Sequence, residues 1–88
     1  MIPQLSKAQA IRMTLKSVRS PRKIPDAGVW SASVGGQSFH HPTKYGIAIE
    51  MQRACLRTTL EAMGKPRHLI EHKLRILALT NKDWRTLV

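Results

Sequence analysis

Eighty-eight residues with 42% hydrophobic content provide for one folded domain around one core, with little chain left over for an elaborate catalytic cavity. Cys55 is the only cysteine, so no internal disulfide forms and a reducing, cytoplasmic setting is expected; no apolar run approaches the ~20 residues that span a bilayer, and the first segment lacks the apolar centre of a secretory signal. Fifteen Lys and Arg against five Asp and Glu leave a net charge of +10, a field that draws phosphate backbones and other polyanions.

Ser6 and Gln9 have the spacing of a capping box, and a helix is expected from Lys7 to Arg19. At about 100° per residue, Ala8, Ile11, Leu15 and Val18 share one face. Arg12, Lys16 and Arg19 form a basic stripe beside it. Pro21 ends the helix by forcing its predecessor out of the helical region. Residues 20–28, with two prolines and a glycine, read as a connector.

Val29–Val34 and Gln37–His41 flank Gly35-Gly36, the signature of a two-residue hairpin. In that register Val34 opposes Gln37, Ala32 opposes Phe39 and Trp30 opposes His41. Trp30, Ala32, Val34 and Phe39 then share a buried face, while Ser31, Ser33, Ser38 and His40 share a wet one. An isolated hairpin is marginal, so a following helix is expected to cover the Trp30/Phe39 face, and a flanking segment can add a third strand.

Thr43 is placed to cap a long helix that runs to Met63 and stops at Gly64. Tyr45, Ala48, Ile49, Met51, Cys55, Leu56, Leu60 and Met63 cover about half its surface, opposite Glu50, Arg53, Arg57 and Glu61, with Arg57 and Glu61 spaced as an ion pair. Pro66 opens a third helix over 67–79 that presents Leu69, Ile70, Leu74 and Leu77, and Trp84 and Leu87 in the tail can pack back on the core. The expected fold is α+β, a single domain: a basic helical stretch (1–25), a hairpin–helix core (28–64), and a C-terminal helix and tail (66–88).

Several motifs resemble chemistry they do not complete. His68, Glu71 and His72 match the H-x-x-E-H string of zinc peptidases, but no third ligand or cleft is evident, and Glu71 is equally explained by an ion pair with Arg75. His40, His41, His68, His72 and Cys55 lack paired zinc spacing, and Cys55 falls on the apolar side of its helix. Leu60–Ile70 resembles a helix-turn-helix, although an ordinary turn between helices accounts for it. The acid-free N-terminus has the composition of a mitochondrial presequence, but its capped helix and short link to the domain favour a folded element. No phosphate-binding glycine loop or nucleophile elbow is present, so the reading is non-enzymatic, with no cofactor and no metal.

Charge is unevenly placed. Residues 1–25 hold Lys7, Arg12, Lys16, Arg19, Arg22 and Lys23 with no acid, and the last 24 residues hold Lys65, Arg67, Lys73, Arg75, Lys82 and Arg85 against Glu71 and Asp83. Lys7, Arg12, Lys16, Arg19, Arg22 and Lys23, joined by Arg67 and Arg75, are therefore the expected contacts to nucleic-acid phosphates, with DNA favoured over RNA and no membrane partner.

Gly28-Val-Trp-Ser-Ala-Ser-Val-Gly-Gly-Gln-Ser-Phe-His-His-Pro-Thr-Lys, followed by a helix, resembles AP2-like domains and the N-terminal arm-binding domains of tyrosine recombinases, a likeness that covers residues 28–60. The resemblance implies a sheet whose exposed face enters the DNA major groove with Arg and Lys on its strands. The two strands expected here carry Ser31, Ser33, Gln37, Ser38 and His40 instead, which leaves the phosphate contacts to the two ends of the chain. The alternative readings are a small phage-type inhibitor that docks on a host protein or nucleoprotein complex, and a peripheral subunit of a ribonucleoprotein.

Overall fold

A computed structural model describes residues 4–80 and 82–88. Helix α1 (Lys7–Ser17) leads into strands β1 (Arg19–Ile24), β2 (Val29–Val34) and β3 (Gln37–His41). Helices α2 (Lys44–Ala62) and α3 (Arg67–Thr80) follow, and a short 3-10 turn, Trp84–Leu87, closes the chain. The fold is α+β, and the three strands form one antiparallel sheet in the order β1-β2-β3.

The capping box at α1 is present in full: the Ser6 hydroxyl accepts from the Gln9 amide at 3.3 Å, and the Gln9 side chain accepts from the Ser6 amide at 3.0 Å. The helix stops two residues short of its expected end. Ser17 Oγ donates to the Thr14 carbonyl at 2.7 Å and accepts from the Gly35 amide at 3.0 Å, so it ties the helix end to the β2–β3 turn. Val18 turns extended, and Arg19, expected to complete a helical stripe with Arg12 and Lys16, lies in β1.

The connector proves to be that strand. Arg22 opposes Ser31, Lys23 opposes Trp30 and Ile24 opposes Val29, whereas Arg19 opposes Ser33 across an irregularity at Ser20-Pro21. Proline has no amide to donate, and a bulge on an edge strand is where a sheet accepts it. The basic first quarter of the chain thus contributes both a packed helix and an edge strand. The β2–β3 register is the expected one throughout, from Trp30 opposite His41 to Val34 opposite Gln37. Gly35 and Gly36 have φ of 61° and 82°, the pair of positive values that a two-residue turn of this hand requires.

Helix α2 packs across all three strands and also against α1 and α3. Thr43 Oγ1 accepts from the Gly46 amide at 3.0 Å to start it. At its end Gly64 adopts φ 72°, Gly64 N–H donates to Glu61 and Lys65 N–H donates to Leu60, a complete Schellman motif. The core joins Val34, Ala54, Cys55, Leu56, Leu60, Ile70, Leu77 and Trp84. Trp84 is anchored by its own amide, which donates to Gln52 Oε1 on α2 at 3.0 Å.

Two apolar faces differ from expectation. On α1 the buried residues are Ala10 and Thr14, while Leu15 is 47% exposed. A buried polar pair explains the rotation: Thr14 Oγ1 and Thr59 Oγ1 lie 2.7 Å apart and share one hydrogen bond. On α2 the buried stripe runs through Ile47, Ala54, Cys55, Leu56, Thr59 and Leu60, and Tyr45, Ala48 and Ile49 face outward, because among the described residues no element covers that side of the first turns. The expected pairs Arg57–Glu61 and Glu71–Arg75 do not form. Glu71 instead pairs with Arg67, one turn before it, at 3.1 Å.

The threonine pair is open to a direct test. Thr14→Val or Thr59→Val alone strands the other hydroxyl and is expected to cost about 1–3 kcal/mol, whereas the double valine removes both polar groups and costs less than the two singles together. Urea titrations of the four proteins measure the coupling, and strictly additive losses would contradict it.

Cys55 gives a second test. Burial, with a smaller contribution from the negative charge of Asp83, pushes its thiol up to about 11 from an ordinary 9.0. Only the unfolded chain ionises readily, so the stability the thiol contributes is complete below pH 9 and is lost as pH rises toward 11. Cys55→Ala is expected to flatten that part of the stability–pH curve. Alkylation of native protein at pH 8 should be far slower than in urea, and equal rates would refute the buried assignment.

Candidate nucleic-acid interface

Cross-strand partners project from the same side of a sheet. Since Arg19 opposes Ser33 and Ser33 opposes Ser38, these three form one row across the strands; Arg22, Ser31 and His40 form the next. Adjacent strands are about 4.8 Å apart, so each row spans roughly 10 Å. Arg19, Ser20, Arg22, Ser31, Ser33 and Ser38 line a shallow concavity of about 340 Å³ on this face. Both arginines are exposed, and among the described residues neither is ion-paired.

The opposite face carries Ala32 and Val34, both buried, with the half-buried Trp30 and Phe39, and packs on α2. The Trp and Phe rings of the strands are therefore both on the inner side. Lys23, opposite Trp30, belongs to that inner register but is exposed, and Lys44 Nζ lies 5.8 Å from the centroid of the Trp30 ring.

The remaining candidate cations lie on other elements. Lys7, Arg12 and Lys16 are exposed on α1, which packs on α2 and reaches β2 at its turn through Ser17. Arg67 and Arg75 are exposed on α3, which packs on α2 and the closing 3-10 turn, and Arg67 is engaged with Glu71. The structure thus brings Arg19 and Arg22 together with the hairpin's polar side chains, and the helical cations belong to α1 and α3.

The two hairpin histidines have different surroundings. His40 is exposed on the open face, whereas the His41 ring folds into the β3–α2 corner. Its Nδ1 accepts from the Thr43 amide at 3.1 Å, and the ring occupies the space a Cβ on residue 46 would need, which accounts for Gly46 inside a helix. His68 and His72 are exposed on α3, and among the described residues no three His, Cys, Asp or Glu side chains converge to hold a metal. No helix among those residues is long and apolar enough to cross a membrane.

The sheet membership of Arg19 and Arg22 was missed in the sequence because Pro21 interrupts the alternation between them. A bulge shifts the period by one residue, and a period-two search fails across it. The chain matches no family model, no curated protein and no solved structure.

Proposed function

We propose that this protein is a non-enzymatic DNA-binding module that applies the open face of its three-stranded sheet to duplex DNA. The observation that carries the reading is the two rows on that face, each headed by an unpaired arginine and continued by hydroxyl or imidazole groups, on a chain of net charge +10. Arginine gives bidentate contacts to guanine edges or phosphates, and serine and histidine add hydrogen bonds without imposing bulk.

Duplex is favoured over single strand because the open face offers no Trp, Tyr or Phe ring for unpaired bases to stack on, and only the one imidazole of His40. DNA is favoured over RNA because a face of roughly 10 Å is commensurate with the ~12 Å major groove of B-form DNA, while the A-form major groove is too narrow to admit it. The resemblance to AP2-like and arm-binding domains points the same way, and β1 supplies the strand arginines that the hairpin alone lacks. Lys7, Arg12, Lys16, Lys23, Arg67 and Arg75 contribute to the field that steers association and make auxiliary phosphate contacts where the duplex extends past the sheet.

Fluorescence anisotropy with duplex DNA, single-stranded DNA and duplex RNA over a salt series tests the reading. Duplex DNA is expected to bind tightest, with affinity falling steeply as salt rises at a log–log slope of about −0.9 per phosphate engaged. A weak, salt-insensitive association with all three would overturn it.

A further inference from the structure

Helices α2 and α3 leave a groove open on the surface, about 700 Å³ in volume, between the first half of α2 and the end of α3. Tyr45, Ile49 and Leu79 are the large exposed apolar residues of its lining, with Tyr45 68% and Leu79 81% exposed. Large apolar side chains left solvated and grouped in one concavity offer apolar area that a partner can cover. The groove's charged lining is two cations and one acid. Arg53 and Lys82 line the groove and, among the described residues, neither is within ion-pair distance of an acid. Asp83, which also lines it, is committed to Arg85 at 3.2 Å.

We propose that this groove is a docking site for an amphipathic helical segment of a partner protein, one that seats apolar side chains between α2 and α3 and sets carboxylates against Arg53 and Lys82. The concave shape accepts a ridge of side chains at i, i+3/i+4 and i+7 spacing, as helix-in-groove recognition does, and suits a flat bilayer poorly. The charge selects the occupant further. A second copy of this chain would bring +10 against +10, with Arg53 and Lys82 at the contact, whereas an acidic segment neutralises both. The groove shares no lining residue with the concavity on the open sheet face, so a partner held here leaves that face clear.

A peptide display library panned on the intact protein at physiological salt, with saturating duplex DNA as competitor, tests the proposal independently of the nucleic-acid reading. Two variants serve as filters: Tyr45→Ser/Leu79→Ser removes exposed apolar lining, and Arg53→Glu/Lys82→Glu reverses the rim. All four positions are exposed, and circular dichroism checks that the fold is retained. Enriched peptides are expected to combine helically spaced apolar residues with Asp or Glu, and to lose at least tenfold in affinity on either variant. Enrichment without acidic residues, or binding that is equal on the wild type and both variants, would overturn the proposal. So would a dimer in sedimentation that Tyr45→Ser/Leu79→Ser dissociates, or groove-dependent binding to anionic vesicles in place of peptides.

Discussion

Replacing Trp84 with alanine is expected to lower the free energy of unfolding by about 3–5 kcal/mol, the usual loss for deleting a buried tryptophan side chain. Trp84 is 4% exposed and completes the core cluster with Cys55, Leu56 and Leu77, although it stands only four residues from the last one. Domains are stable by roughly 0.05–0.15 kcal/mol per residue, about 4–13 kcal/mol for a chain of this length, so the loss is a large fraction of the margin. Urea denaturation followed by circular dichroism measures it, and the fluorescence of Trp30, the other tryptophan, reports separately on the sheet. Gln52→Ala removes only the acceptor of the Trp84 amide and should cost about 1 kcal/mol. A Trp84→Ala protein with wild-type stability would show that the tail is not part of the core.

The same tail illustrates what a sequence of this kind conveys. Trp84 and Leu87 are large apolar residues in a polar stretch, and burial is the simple inference; Asp83 as the cap of a 3-10 turn is visible only in the structure, where its side chain accepts from the Arg85 amide at 2.9 Å. The hairpin was legible residue by residue, because two glycines fix the turn and the turn fixes the register. The boundaries of α2 were legible for the same reason: Thr43 and Gly64 act locally.

Features that depend on what lies opposite were not legible. Periodicity assigned Leu15 to the packed face of α1, but the hydroxyl of Thr59 selects Thr14 for that position. Tyr45, Ala48 and Ile49 have the spacing of a core stripe, yet whether a stripe is covered depends on where α3 ends, and it leaves them open. The candidate interface falls between the two cases. Alternation alone puts its serines and His40 on the wet face, but the arginines beside them read as a helix end and a linker, because Pro21 carries the signals of both a helix stop and an edge-strand bulge.

Arg19→Ala/Arg22→Ala follows from that reassignment and separates two accounts of the basic charge. If the ends of the chain supplied the phosphate contacts independently of the sheet, removing any two cations would weaken binding by a similar, modest factor. With the sheet face as the interface, each arginine in direct contact is worth about 1–3 kcal/mol, so the double variant should lose at least ~30-fold in duplex affinity. Its salt slope should fall by up to ~2 where both contacts are to phosphate. Lys7→Ala/Arg12→Ala/Lys16→Ala removes more charge from α1 and is expected to slow association and weaken binding only a few-fold, since those side chains act chiefly through the field, with auxiliary phosphate contacts. Arg19→Lys/Arg22→Lys keeps the charge but loses the bidentate fork; affinity that recovers fully assigns the pair to phosphates, and recovery on non-specific duplex alone assigns it to base edges. Anisotropy at two or more salt concentrations measures all three. The α1 variant losing more affinity than the Arg19/Arg22 pair would move the interface from the sheet to the helix.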